Sequence, residues 1–589
     1  MPGSDATARP RTGFILGLSC YYHDATAVLL RDGEVVAAAQ EERFNREKYS
    51  QVLPLQALNW CLQEGGVSID DLDAVAFYEK PYLKFGRVMI GHLVSWPFSY
   101  PNFAAMMPAW LEERLSLPVD LEQKIGFERP VYFVKHHLAH AASAFYPSPF
   151  EEAALLTVDG IGEWASASWG AGRGHRITIE QELRYPNSLG LLYSIICTYL
   201  GFQVFTGEGK VMALAAFGEP RFVDRFKQIM DLRPDGSFRL DPAYFALNRG
   251  TRMYTRRFVE LFGPERRHDE PIEARHQDVA ASLQAVAEEV LLAMARHVHA
   301  RTGMRRLCAA GGVFLNVVAN SRILAETPFE DLFVLPAAGD AGAALGAAAW
   351  VHHALGDHAQ RHPLKSAYLG PGYPDRQIRR LLEREGARFR ELEPEALCDE
   401  VARHIADGRI VAWFQGRMEF GPRALGARSL LADARRPDMK QVLNDRVKHR
   451  EPFRPYGVSI LEERAGEWFD LGHESPYMLL VGRPREGRGE QVPAALHVDG
   501  TCRLQTVSRE VHPLYHLLLE SFERLTGVPM VINTSYNVQE PIVCTPEQAW
   551  ATFEKADIDY LAIGSFLVGR GSRGAAADQA GAGALGAAR

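Results

Sequence analysis

Apolar and polar positions along the chain fall into blocks. Residues 14–40 read FILGLSCYYHDATAVLLRDGEVVAAAQ. An apolar run, a polar loop, a second run, an Asp-Gly turn and a third run predict three strands with a tight hairpin between the last two. Residues 153–181, AALLTVDGIGEWASASWGAGRGHRITIEQ, repeat that order with a Gly-rich turn. Two copies of one unit predict two similar βββαβα lobes across a cleft, with the loop after each first strand pointing into it. Those loops carry His23 and Asp24 in one copy and Asp159 in the other.

Residues 270–303 repeat apolar positions at helical spacing and end in Gly, so they predict a long helix. The stretch RLCAAGGVFLNVVANSRIL reads strand, Gly-Gly turn, helix. Then LFVLPAAGDAGAALGAAAW reads strand, Gly-Asp-Ala-Gly loop, small-residue helix, with Asp340 at the junction. The pattern breaks near residues 355–368, which places a domain boundary there, and a second α/β unit follows. The Gly/Ala-rich tail, 571–589, reads as disordered.

One apolar segment stands apart, RVMIGHLVSWPFSYPNFAAMMPAWL at 87–111. His92, Ser95, Pro97 and Pro101 interrupt it short of a membrane-spanning length. It reads first as a buried or surface-packed helical insertion, since apolar helical stripes are usually core. The other reading is a wall for an apolar acceptor or a contact between subunits, as in a homodimer.

Composition narrows the function. With 47% hydrophobic and 23% charged residues, the 589-residue chain can build large cores. A net charge of −8 leaves no basic excess for a phosphate backbone, so nucleic acid is not an expected partner. Seven cysteines without any CxxC pair exclude a zinc ribbon and a disulfide framework, and they fit a reducing compartment. The opening MPGSDATARPRT has no apolar core of a signal peptide. Together these predict a cytoplasmic protein without a membrane partner.

Three clusters carry chemistry. In VKHHLAHAASAF, His136 and His140 lie four apart and share one helical face, while His137 points elsewhere. With Asp159 and Asp340 they form a mixed nitrogen and oxygen set suited to Fe(II), Mn(II) or Zn(II). The alternative is a pair of buried core histidines with Asp340 as a helix cap. In GEGKVMALAAFG (207–218), Lys210 can meet a phosphate, although the spacing is not that of a P-loop; alone it reads as a solvated loop lysine. Gly311 and Gly312 let a nucleotide approach backbone closely. The third cluster, GRMEFGPRALGARSLLADAR and VKHREPFRPYGVSI, sets Arg417, Arg423, Arg428, Lys448, Arg450 and Arg454 among turn formers and aromatics. Forked guanidinium donors suit phosphate or carboxylate. VINTSYN (531–537) adds hydroxyls and amides. The three stretches describe a small-anion pocket.

Taken as an ordered set, YYHDATAVLL, EERFNREKY, HHLAHAASAFYPSPF, LLTVDGIGEWASAS, GEGKVMALAAFGEP, AGGVFLN, PAAGDAGAALGAA, GRMEFGPRALGARSLLAD, KHREPFRPYG and NTSYNVQEPIVCTP resemble the NodU/TobZ-type carbamoyltransferase family. The resemblance implies an α/β protein. Its N-terminal part (13–360) would be a duplicated actin-like (ASKHA, Kae1-like) carbamoyl-transfer domain. Its C-terminal part (366–570) would be a YrdC-like domain that forms carbamoyl adenylate from carbamoyl phosphate and ATP, with Mg accompanying the ATP. The acceptor implied is a hydroxyl of a small natural product or antibiotic. It further implies metal ligation, by Fe(II) first, at His136, His140, Asp159 and Asp340. Nucleotide contacts fall at Lys210, Gly311, Gly312 and Asn316. Carbamoyl phosphate and ATP contacts fall at Arg423, Lys448, Arg454, Arg503, Ser535 and Asn537. His23 and Asp24 are candidates to position the carbamoyl group or deprotonate the acceptor, an imidazole being suited to proton transfer near neutrality; a histidine that merely closes its loop is the other reading.

Two departures stand out. NTSYNVQEP lacks the Gly of the family's Gly-Glu-Pro and is one residue shorter, which predicts a reshaped loop after Asn537. ALAAFG stands where the family has GLAPYG. Two other functions compete. Transfer of carbamoyl to a protein thiol, as in hydrogenase maturation, is disfavoured by the absence of CxxC motifs and of an acylphosphatase-like start. A non-catalytic nucleotide- or metal-binding protein is disfavoured by the complete ligand set.

Overall fold

Two five-stranded sheets dominate the first half of the chain, and they share one plan. The computed structural model describes residues 13–248 and 252–573. The first sheet contains Phe14–Ser19, Thr26–Arg31, Glu34–Gln40, Leu72–Phe77 and Val131–Phe133. The second contains Glu152–Val158, Ala165–Arg173, Arg176–Arg184, Arg306–Ala310 and Asp331–Val334. In each, the order across the sheet is third, second, first, fourth, fifth. The first three strands are antiparallel, and the last two run parallel to the first. The repeated hydrophobic blocks therefore correspond to a structural duplication. Asp32 and Gly33 take φ of 49° and 85°, the two left-handed positions that the Asp-Gly hairpin needs.

The fifth strand of each sheet leads into a helix, His136–Phe145 in one lobe and Asp340–Trp350 in the other. Small residues let these two equivalent helices touch. A Cβ on Gly346 would stand 1.9 Å from the Ala139 carbonyl oxygen, and one on Gly17 would stand 2.1 Å from that of Ala344. The composition DAGAALGAAAW thus allows one helix to press on both its counterpart and the first strand. The long helix Ala274–Thr302 closes with Gly303 in the left-handed conformation, as its sequence predicts.

The chain divides into two compact units at Leu364/Lys365, with Arg46–Lys48 belonging to the second. The expected end of the first domain at 360 falls four residues short. Arg361 donates to the carbonyls of Phe150 and Ser148, and the Leu364 N–H to that of Pro147. The second unit is built on a nine-stranded mixed sheet. Its last strand, Phe566–Arg573, extends past the expected limit of 570 because its antiparallel pairing with Ala387–Glu391 continues to Arg573. The remainder of the predicted disordered tail lies outside the described residues.

The apolar segment folds as helices Pro81–Val94 and Tyr100–Ala109 followed by a turn at Trp110–Arg114. His92, Ser99 and Trp110 are buried, but Leu93, Val94, Trp96, Phe98, Tyr100 and Leu111 are exposed. A core role holds only for the inner face, because helical periodicity specifies a face and not what covers it. No helix among the described residues is long and apolar enough to cross a membrane.

Candidate metal centre and anion pocket

The first-unit site begins with how helix His136–Phe145 starts. Its N-cap, Lys135, offers no side-chain cap. Glu163 does this work from the neighbouring lobe: its carboxylate accepts from His136 N–H at 3.0 Å and from Lys80 N–H at 2.8 Å. Gly162 must be glycine for that loop to lie so close, since a Cβ there would be 2.9 Å from His136 Cβ. Sequence reasoning missed Glu163; its only signal was its place in the Asp-Gly-Ile-Gly-Glu loop.

One turn apart, the rings of His136 and His140 bring their Nε2 atoms to 3.1 Å. Asp159 Oδ2 lies 3.1 Å from His136 Nε2 and 3.6 Å from His140 Nε2. Asp340 Oδ1 lies 3.4 Å from His140 Nε2 and 3.7 Å from His136 Nε2. One ligand atom from each residue falls within 4.8 Å of all the others. Asp340 occupies the first turn of its helix, whereas the N-cap is Gly339, so its carboxylate faces the imidazoles and does not cap. Asp340 Oδ1 is buried with no hydrogen-bond partner. Two nitrogens meeting nose to nose and an orphaned carboxylate oxygen fit a divalent cation of borderline hardness, such as Fe(II), Mn(II) or Zn(II). His137 is turned away, its Nδ1 2.7 Å from Thr157 Oγ1.

Asp159 is held on its other side by the glycine pair. Gly312 N–H donates to Asp159 Oδ1 at 2.8 Å. Gly311, at φ 101°, passes so near strand Glu152–Val158 that a Cβ would be 2.2 Å from the Val158 carbonyl oxygen. Asn316 caps the next helix through Ala319 N–H and bonds Gln284. Lys210 lies over the Phe202 ring at 5.6 Å.

His23 joins the cluster from the loop after the first strand. Its Nδ1 is 3.0 Å from Asp24 Oδ2, and its Nε2 is 3.4 Å from Asp340 Oδ2. Tyr21 and Asp24 both have positive φ, and the Asp24 carbonyl is anchored by Ser19 and Thr26 hydroxyls. Burial disfavours a charged His23, yet the charges of Asp340 and Asp24 raise it to about 9. His140 follows the same logic, with burial outweighed by Asp159 and Asp340, and reaches about 9. Burial would raise Asp340, but His23 and His136 bring it down to about 2.

The second-unit site is a crowd of cations. Lys448 ends the turn Asn444–Lys448, just before His449 at φ 43°. Its Nζ donates to the Ser535 carbonyl (2.5 Å), the Asn537 carbonyl (2.8 Å) and Asn537 Oδ1 (2.9 Å). Burial and then the charges of Arg450 and Arg454 push this ammonium well below its ordinary value. Arg503 is likewise held well below the usual guanidinium range, by burial and then by Arg423, Arg450 and Arg454. Arg503 Nε is buried without a partner. Arg423 sits in a loop fastened from both sides: Glu419 accepts from Leu425 N–H at 2.6 Å, and Asn533 and Gln505 donate to the carbonyls of Ala424 and Leu425. Not every arginine of the motif joins this cluster. Arg428 is buried, stacked 3.6 Å from the Phe414 ring centroid, and spends its donors on the carbonyls of Gln415, Gly416 and Pro371. Arg417 donates to Leu369 and Gly370 carbonyls. The loop after Asn537 closes on itself: Asn537 donates to the Glu540 carbonyl, and the Glu540 carboxylate accepts from Val538 and Gln539 N–H.

These sites fall within recognised sequence families. Residues 14–349 match the carbamoyltransferase N-terminus model and residues 402–570 the carbamoyltransferase C-terminus model. The chain is 43% identical over 593 aligned positions to the uncharacterized protein sll1178 of Synechocystis sp., covering 94% of this chain and 96% of that one. It is 40% identical to nodulation protein NolNO of Sinorhizobium fredii, covering 93% and 79%. It is 30% identical to nodulation protein U of Rhizobium tropici, covering 88% and 89%. Cluster, cation pocket and family models coincide over almost the whole chain, which belongs to the carbamoyltransferase family and is a carbamoyltransferase.

Proposed function

We propose that the protein is an ATP-dependent O-carbamoyltransferase of two half-reactions, on an actin-like first unit and a YrdC-like second unit. The observation that carries this reading is Arg503, a buried guanidinium pressed by Arg423, Arg450 and Arg454 and given no carboxylate partner among the described residues. Only an anionic ligand relieves such a site. Carbamoyl phosphate and the ATP phosphates are the anions that fit a carbamoyltransferase. In the second unit, water hydrolyses carbamoyl phosphate to carbamate and phosphate. A carbamate oxygen then attacks the α-phosphorus of ATP, giving carbamoyl adenylate and pyrophosphate. Arg423, Arg454 and Arg503 neutralise the phosphates, while Lys448, fixed by Ser535 and Asn537, orients the carbamoyl end. Mg accompanies the ATP.

In the first unit, His136, His140, Asp159 and Asp340 would hold the divalent metal, Fe(II) by preference. When bound, it supplies Lewis-acid stabilisation of charge on a nucleotide phosphate. Lys210, Gly311, Gly312 and Asn316 line the nucleotide side. The acceptor hydroxyl attacks the carbamoyl carbon, its proton leaves, and AMP departs. With Asp340 uncompensated His23 is protonated at neutral pH. It therefore serves as a base only once the charge of Asp340 is engaged elsewhere, and Asp24 holds its ring in either state. The acceptor is a hydroxyl-bearing small molecule of the natural-product or antibiotic kind.

Product analysis with ATP, carbamoyl phosphate and Fe(II), anaerobically and without acceptor, tests this reading. AMP and pyrophosphate should appear with the wild type and vanish with Lys448→Ala. Intact ATP in the presence of folded, metal-loaded protein would sink it.

A further inference from the structure

From Val88 to Leu111, 24 consecutive residues include no Asp, Glu, Lys or Arg, in a chain that is 23% charged. The segment is not a buried core. Val94 is 78% exposed, Phe98 68%, Leu93 66%, Leu111 63% and Trp96 56%, and Ile90 and Tyr100 are also exposed. The inner face is complete without them. His92 Nε2 lies 3.0 Å from the Met106 sulfur, Ser99 Oγ donates to the His92 carbonyl, and Phe85 packs on Trp110. The one imidazole in the segment, His92, is buried in this inner face, and burial lowers its pKa, which favours the neutral ring. Trp96, Phe98 and Tyr100 alone expose roughly 350 Å², comparable with the whole largest patch on a typical monomer.

We propose that the tip of this helical hairpin, Leu93–Tyr100 with Ile90 and Leu111, docks on an electrically neutral lipid surface. Charge selects the occupant. A second copy of the chain would bring a rim of polar and ionic groups to match, and between Arg87 and Glu112 this segment has no charged residue to pair with them. Anionic lipid would meet a chain of net charge −8. A neutral headgroup layer requires no counter-charge, and aliphatic side chains flanked by Trp and Tyr are what such an interface accommodates. The helices, 14 and 10 residues long, are too short to span, so they lie in the interface and do not cross it. The interruptions at His92, Ser95, Pro97 and Pro101 argue against a span and leave this mode open.

The hairpin is continuous with the metal centre. Helix Pro81–Val94 starts beside Lys80, whose N–H is held by Glu163, the residue that also caps the His136 helix. Lys84, in its first turns, pairs with Glu79 at 2.5 Å and lies 4.5 Å from the Tyr22 ring centroid, beside His23. The helix then runs roughly 20 Å outward to the tip.

Flotation of the full chain with phosphatidylcholine vesicles tests the proposal. The wild type should rise with the vesicles, with little change in about 0.5 M salt, because no ion pairing is involved. Val94→Ser combined with Trp96→Ser and Phe98→Ser should lower the bound fraction about tenfold or more while leaving the thermal transition in place. The single change Val94→Glu, at the most exposed position of the tip, should act in the same direction and guards against misfolding of the triple variant. Wild type that stays at the bottom overturns the proposal, and sedimentation as a dimer in that case would assign the face to a second copy. Flotation only with phosphatidylglycerol vesicles, or unchanged flotation of both variants, overturns it as well.

Discussion

In the first unit, two carboxylates face two imidazoles across ligand atoms no more than 4.8 Å apart. In the second, Arg423, Lys448, Arg450, Arg454 and Arg503 crowd one another, and burial with mutual repulsion pushes Lys448 and Arg503 down. Acids and bases in the first site hold one another in their charged forms, as His140 near 9 and Asp340 near 2 attest. The first arrangement offers imidazole nitrogens and carboxylate oxygens suited to a divalent cation; the second offers donors suited to an anion.

Separating the two sites by mutation is the strongest way to break this comparison. Asp340→Ala removes one ligand and its compensating charge. Metal content should fall to background and carbamoyl transfer by about a thousandfold, whereas pyrophosphate release without acceptor should persist. Lys448→Ala should do the reverse, with pyrophosphate release falling about 100- to 1,000-fold and metal content unchanged. If either variant lost both properties while folded, the division of labour would be wrong. His23→Asn tests the bridge between proton transfer and metal cluster. It should slow transfer to acceptor about a hundredfold and flatten its pH profile, with metal content and pyrophosphate release preserved.

The smallest effect concerns stability. Lys448 has a folded pKa below its unfolded one, so the folded chain binds fewer protons between the two values. Stability attributable to this group therefore rises with pH across that interval and is lost as pH falls through it. Inorganic phosphate favours the charged ammonium and guanidinium groups and should oppose that loss. Thermal melts should show phosphate raising Tm by about 3 °C at pH 7 and by less at pH 9. An equal rise at both values would mean that phosphate binds elsewhere.

Much of the fold was legible because hydrophobic blocks and turn residues repeat. The Asp-Gly turn supplies the two left-handed residues of a tight hairpin, and the two strand triplets announce the duplication before any contact is known. His136 and His140 were legible for a related reason, since i and i+4 share a helical face. Asp340 was recognisable at a strand-to-helix junction, but two readings of it survived until Gly339 proved to be the N-cap. The cationic motifs show where local pattern stops. Arg428 and Arg423 have similar neighbours in sequence, yet Arg428 is spent on the buried carbonyls of Gln415 and Pro371, whereas the charge of Arg423 bears on Arg503. Glu163 was hidden because its work is to serve backbone N–H groups of other segments. The apolar segment at 87–111 shows the same limit: period gives a face, and tertiary structure decides whether that face is covered or left on the surface.

The duplicated lobes divide the candidate metal ligands by chemistry. His136 and His140 come from the first repeat, Asp159 and Asp340 from the second. Neither repeat alone offers more than a pair of one kind to this site, so a metal held by all four residues would require both repeats folded against each other. Its affinity would then gauge how well the halves are mated, through the effective concentration at which one pair meets the other. A chain cut between the repeats would bind its ion as a test of reassembly, and a bound ion would act as the clasp that keeps the repeats from drifting apart.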